Sequence, residues 1–225
     1  MFVLYLDAYY LGDPLFLTGL ARDLKARHDA GGDGIVVVHG LGEAAERALE
    51  ASGATVARRD GALELATPEA EALAERAGRD LNRQIVHELS EAGVHAVRVS
   101  GVDRGLARAD GSVGRVSWLA DLCRQRAVPV VLTIASGDGN GVREVDPGPF
   151  SAALAEKLGA EAVLVLGQPP EAGGEGTGDA EAARVPDAKV LQRIGLERVP
   201  VVAIRRSALR RPGRPEGMRI RDSSS

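Results

Sequence analysis

Six short apolar runs that do not alternate with polar residues set the tightest limit on this fold. They are FVLYL at Phe2–Leu6, IVVV at 35–38, AVRV at 96–99, VPVVLTI at 128–134, AVLVL at 162–166 and VPVVAI at 199–204. A strand that is apolar on both faces must be covered on both faces, the condition of a parallel sheet between two layers of helix. Helical patterns separate the runs. Leu15, Leu17, Leu20, Ala21 and Leu24 recur at helical spacing over 14–27, and EAAERALEAS at 43–52 stops at Gly53, a helix-ending glycine. Thr67-Pro68-Glu69 reads as a cap, a first-turn proline and a first-turn acid. It opens a long helix over 68–92 that ends at Gly93, and a further helix over 149–158 ends at Gly159. The βαβα alternation predicts one three-layer α/β/α domain over residues 1–222 with a mainly parallel open sheet.

Three segments interrupt the pattern. GVDRGLARADGSVGRV at 101–116 and SGDGNGVREVDPG at 136–148 read as hairpins or active-site loops. The glycine-rich stretch at 167–180 reads as a flexible loop. The arginines of 205–225 read as a solvated basic tail.

Composition narrows the class. With 225 residues, 44% hydrophobic and 27% charged, the chain is ordinary for a folded domain and excludes a disordered one. No apolar run approaches the length that spans a bilayer, and the N-terminus carries Asp7 but no basic region, so neither an anchor nor a signal peptide is expected. One cysteine, Cys123, fits a reducing compartment, and a net charge of −4 gives no reason to expect nucleic acid or an anionic membrane. The expectation is a cytoplasmic protein. His28, His39, His87 and His95 show no metal-ligand spacing, and no metal site is predicted. Lysine occurs only at Lys25, Lys157 and Lys189, so chemistry that needs lysine has three candidates.

His39-Gly40-Leu41-Gly42 follows a predicted strand and opens a helix, an arrangement in which backbone N–H groups and the helix dipole favour an anion. By itself it makes a tight turn as readily as a binding site, and it is neither a dinucleotide fingerprint nor a P-loop. The order VVVHGLG, LEASGATVARRDG, then LNRQIVHELSEAGVHAVRVSGVDRGL, VPVVLTI and FSAALAEKLGAEAVLVL nevertheless resembles the amino acid kinase family, and within it the acetylglutamate kinases. The resemblance covers roughly residues 1–204. It implies the carbamate kinase-like fold with a sheet of about eight strands, ATP with magnesium, and phosphoryl transfer to the carboxylate of an acylated amino acid. It also implies a homodimer paired through the long helix, burying Leu73, Ala77, Leu81 and Ile85.

Carried over residue by residue, most of the machinery is missing. Tyr5 falls where the family has the lysine of its first strand, with Asp7-Ala8 in place of two glycines. Glu64 falls at or near the substrate arginine, reversing its charge. Arg104 replaces a glycine in the family's LSGxDGGL loop. The catalytic aspartate lands on Gly148, with Asp146 at the neighbouring asparagine. The second lysine helix has no counterpart, which shortens the C-terminal part. What the resemblance leaves as candidate substrate or phosphate contacts is Gly40, Gly42, Ser100, Gly101 and Asp146. Two readings stay open: a degenerate member that binds a small molecule or a partner protein, and an active kinase with a rebuilt site.

Overall fold

The computed structural model describes residues 1–137, 141–166, 194 and 199–220. Its centre is a seven-stranded sheet in the order β11-β10-β9-β1-β2-β6-β5. The strands are β1 (Phe2–Leu6), β2 (Ile35–His39), β5 (Ala96–Ser100), β6 (Val128–Leu132), β9 (Val163–Leu166), β10 (Val201–Ile204) and β11 (Gly217–Ile220). Every pairing is parallel except β10–β11. Each of the six apolar runs supplies a strand of this sheet. The resemblance implied about eight strands, and seven lie in the sheet among the described residues.

The absence of alternation in the runs has the expected cause. In β1, Phe2, Leu4 and Leu6 face one cluster with Leu17, Leu20, Leu24, Leu81, Ile85 and Leu89, contributed by α2 (Pro14–Asp29) and α4 (Pro68–Glu91). Val3 and Tyr5 face the other cluster with Leu119, Phe150 and Leu154, contributed by α5 (Ser117–Arg124) and α6 (Pro147–Leu158). Successive side chains point to opposite sides of a strand, so both sets must be apolar when helices cover both faces. The short α1 (Ala8–Leu11) follows β1, and α3 (Gly42–Ala51) follows β2.

Helix limits follow from local chemistry. Asp13 caps α2 by accepting from the Leu15 N–H, Thr67 caps α4 by accepting from Ala70, and Asp146 caps α6 by accepting from Gly148. Proline occupies the first turn of all three helices. Gly159 ends α6 in the left-handed conformation, with φ 63°.

Two hairpins rise at the carboxyl end of the sheet: β3 (Arg58–Arg59) with β4 (Ala62–Leu63), and β7 (Ile134–Ser136) with β8 (Val142–Glu144). The second lies within the 136–148 loop and borrows the end of the VPVVLTI run. In the 101–116 loop only one bridge forms, Ala107 with Val113. The 167–180 loop, the helical pattern at 185–193 and the last residues of the tail lie outside the described residues.

The arginine stretch does not behave as a solvated tail over 206–220. Arg206 and Arg210 both bond the carboxylate of Asp23 on α2, which is fully buried. Arg27 in turn donates to the Arg211 carbonyl at 2.6 Å and the Gly213 carbonyl at 2.9 Å. Leu209 is buried, and β11 extends the sheet beyond β10. Arginines scattered among polar residues read as solvated because their buried partner lies nearly two hundred residues earlier in the chain.

The four α4 residues expected at a dimer contact are occupied within the chain. Leu81 and Ile85 lie in the main core, while Leu73 and Ala77 pack beside Leu41, Ala74 and Leu132. The outward face of α4 carries Arg76, Arg79, Asp80, Arg83 and His87 instead.

Candidate functional site

The chain leaves β1 toward β2 on one side and leaves β9 toward β10 on the other. The crevice at the carboxyl ends of such a reversal is where open α/β sheets place ligands. Tyr5 stands there, level with Val38 of β2 and Val165 of β9. It is 4% exposed and donates its hydroxyl to Asp7 at 3.3 Å. Burial, then the charges of Asp7, Asp146 and Glu144, push its ionisation far above the ordinary phenol range. The position therefore holds a neutral phenol facing three carboxylates.

Glu144, at the end of β8, organises the glycine turn. Its Oε1 accepts the Leu41 N–H at 2.7 Å, and its Oε2 accepts the Leu63 N–H at 2.7 Å and Arg58 at 3.2 Å. Its side chain is 1% exposed. Burial raises its proton affinity, while Arg58 and the two N–H groups oppose that rise. A donor that the glycine turn would offer to an anion is thus already held by a carboxylate of the same chain. Gly40 is required by this contact, because a β-carbon there would lie 2.6 Å from Glu144 Oε1. The sequence reading missed Glu144 and Arg58. The only trace was the acid in VREV, which marks a hairpin position but not its partner.

The candidate residues separate into two groups. Gly40 and Gly42 flank the buried Leu41, and Gly40 lies against both Glu144 and Pro147, next to Asp146. Asp146 serves as the α6 cap through Oδ1, 2.9 Å from the Gly148 N–H. Ser100 and Gly101 sit two strands away, roughly 10 Å by strand spacing. Their N–H groups have internal partners: Asp103 accepts from Ser100 at 2.8 Å, and the Leu132 carbonyl accepts from Gly101 at 2.8 Å. Glycine is needed at 101 because a β-carbon would lie 2.2 Å from the Ile134 carbonyl oxygen. The buried Ser100 hydroxyl has no hydrogen-bond partner and lines a cleft of about 510 Å³ with Arg79, Asn82 and Arg98.

His39 is a structural part of the turn. Its Nδ1–H donates to the Gly40 carbonyl at 2.8 Å, and its Nε2 accepts from Asn82 at 2.9 Å. Asn82 also donates to the Val130 carbonyl at 2.9 Å, tying α4 to β6. Full burial lowers the His39 pKa to about 4. The folded-state value lies below the ordinary one, so the neutral ring stabilises fully above about pH 6.5, and this contribution disappears as pH falls toward 4. Urea unfolding at pH 6.5 and pH 5 should show the wild type losing roughly 2 kcal/mol more than His39→Gln. Equal losses would mean that His39 titrates normally.

An open cleft of about 610 Å³ lies between the two hairpins, lined by Arg59, Glu64, Glu71, Arg143 and Glu144 among others. Glu64 pairs with Arg59 at 2.6 Å. The cleft carries both signs of charge. Of the lysines among the described residues, Lys25 pairs with Asp29 and Lys157 reaches the carbonyls of Val113 and Gly114, so neither serves the Tyr5 crevice. Among the described residues no cluster of three or more His, Cys, Asp or Glu is placed to hold a metal ion. Nor is any described helix long and apolar enough to cross a membrane.

Comparison with known proteins agrees with this architecture. The acetylglutamate kinase of Chloroflexus aggregans is 29% identical over 184 residues, covering 75% of this chain and 70% of that protein. The acetylglutamate kinase of Chloroflexus aurantiacus is 30% identical, covering 74% and 70%. The crystallised isopentenyl phosphate kinase superposes with a TM-score of 0.62 at 17% identity, over 93% of this chain and 94% of that one. An N-acetylglutamate synthase from Neisseria gonorrhoeae superposes at 0.67 and 19% identity, over 92% and 54%. At those identities the two structures speak for the fold alone. Residues 11–199 match the amino acid kinase family as a whole, and the chain belongs to that family.

Proposed function

We propose that this chain is a catalytically silent, acetylglutamate-kinase-like protein that binds a small acylamino-acid-type molecule rather than phosphorylating it. The observation that carries the reading is Glu144 seated on the Leu41 N–H. A phosphoryl group or acceptor carboxylate at the glycine turn would have to displace the buried Glu144 carboxylate from the Leu41 N–H and then sit beside both it and a neutral Tyr5. Like charges at such separations in a buried site repel by several kcal/mol.

The described residues of the crevice do not fit ATP with magnesium. The charges that act on Tyr5 are those of Asp7, Asp146 and Glu144, and the N–H of Leu41 is taken. No chemical step is therefore assigned to that pair. The cleft between the hairpins suits a smaller ligand better. Its size lies within the range of small-molecule sites, and Arg59, Arg143, Glu64 and Glu71 offer both signs of charge to a zwitterionic or acylated amino acid. Calorimetry with N-acetylglutamate tests this directly. Saturable binding is expected, weakened about tenfold or more by Arg59→Ala or Arg143→Ala. Heat that is unchanged in both variants would remove the cleft from the reading.

The assembly we infer is a homodimer. It rests on β5, which ends the sheet with an open edge, and on the adjoining polar face of α4. An open edge offers unpaired N–H and C=O groups to a second copy. Light scattering at micromolar concentration should give twice the chain mass of 23.5 kDa. A mass equal to one chain would end the proposal.

A further inference from the structure

The 101–116 loop and the start of α5 form a third polar cleft, which none of the glycine-turn residues lines. Its volume is about 560 Å³, and Arg104, Arg108, Arg115, Ser117, Trp118 and Asp121 line it. Three arginines line this one cleft in a protein whose net charge is −4. Among the described residues none of the three forms an ion pair or donates a side-chain hydrogen bond. Asp121 is bonded to Arg124 instead, and Arg108 lies near enough to Asp110 only to help hold that exposed carboxyl low.

The loop that presents these arginines is pinned. Ala107 N–H donates to the Gly101 carbonyl at 2.6 Å, and Gly114 N–H to the Leu106 carbonyl at 2.7 Å. Leu106 and Val113 are core residues, and Lys157 reaches across from α6 to the carbonyls of Val113 and Gly114. The indole N–H of Trp118 donates to the Arg115 carbonyl at 2.9 Å. Arg104 lies over the Trp118 ring, 5.3 Å from its centroid, and holds φ 54°. That left-handed conformation is one that residues with a β-carbon avoid, and strain of this kind persists only where the surroundings over-determine it. Positive groups held close on a rigid loop, with Asp121 engaged by Arg124, repel one another until an anion joins them.

We propose that this cleft is an anion site for a phosphate-bearing small molecule, with Arg104, Arg108 and Arg115 as its contacts. The planar fork of arginine matches phosphate oxygens in pairs, which carboxylate-poor surroundings leave available. The site shares no lining residue with the cleft between the hairpins, which reaches the same loop at Ala109, and it stands or falls independently of whether the glycine turn is silent.

Trp118 is the sole tryptophan of the chain, so its fluorescence reports this cleft alone. The full-length protein is titrated with tripolyphosphate and with ADP at constant ionic strength, with sodium chloride as the screening control. A saturable change is expected with both anions and none with chloride. Arg108→Ala and Arg115→Ala, both at exposed positions, should each weaken it about tenfold, and the double variant about a hundredfold. Arg104→Gly suits the observed φ, so it should keep the fold and also weaken binding about tenfold. Equal midpoints for the two anions support a site that reads phosphate alone, whereas a tighter ADP supports one in which the base adds contact with Trp118. No saturable change, the same change with chloride, or a wild-type midpoint in the double variant would overturn the proposal.

Discussion

With ATP and N-acetylglutamate, a coupled ADP-release assay is expected to show turnover at least ~10⁴-fold below the roughly one per second at the low end for kinases. Removing a single preorganised donor from the charge developing in a transition state costs about 10²–10³ in rate. Here several such contributions fail at one place. The β1 position that faces the crevice is a phenol, held neutral by burial and by Asp7, Asp146 and Glu144. The Leu41 N–H of the glycine turn is held by Glu144. Position 148 is a glycine whose N–H is bound by the Asp146 cap. Tyr5→Lys alone should not restore activity, although the three nearby carboxylates would accept a cation there. Turnover near one per second in the wild-type protein would show that Glu144 leaves the turn during catalysis, and would discard the silent reading.

The second large effect concerns the C-terminal clamp. Asp23 is fully buried, while Arg206 and Arg210 keep 36% and 59% of their side chains exposed. The pair is therefore asymmetric. Without its arginines the carboxylate is left buried and uncompensated, whereas without Asp23 the guanidinium groups can turn to water. The Arg206→Ala/Arg210→Ala double variant is expected to lose about 3–5 kcal/mol of stability, a fall of about 10 °C in Tm for a chain of this size. Asp23→Leu should lose clearly less, because a buried charge disappears together with its need for partners. Denaturation giving the opposite order would mean that the arginines stabilise by packing on Phe16 and the α2 face rather than by neutralising Asp23.

The layered fold was legible from the chain because it follows from short-range rules. Runs apolar on both faces have to become covered parallel strands, and Thr67-Pro68, Gly53, Gly93 and Gly159 mark helix ends by their own backbone chemistry. That the resemblance puts Tyr5 where the family has a lysine was also readable from the chain, and a phenol carries no positive charge in any fold. The resemblance located the turn at Gly40 and Gly42 but could not show what fills it.

What only the tertiary structure decided are the partnerships between distant residues. Glu144 meets Leu41 across 103 positions, and Arg210 meets Asp23 across 187. No periodicity or spacing encodes such pairs, because a carboxylate's partner depends on which strand ends the sheet order brings together. The same reason governs the α4 face. Leu81 and Ile85 looked free to pair with a second copy, until the packing of α4 against α2, β5 and β6 buried them within the chain. The sequence by itself determined the layers and the helix limits. The folded sheet decided that the glycine turn is occupied from within, that the arginine stretch is a clamp, and that three further arginines line one cleft without forming ion pairs among the described residues.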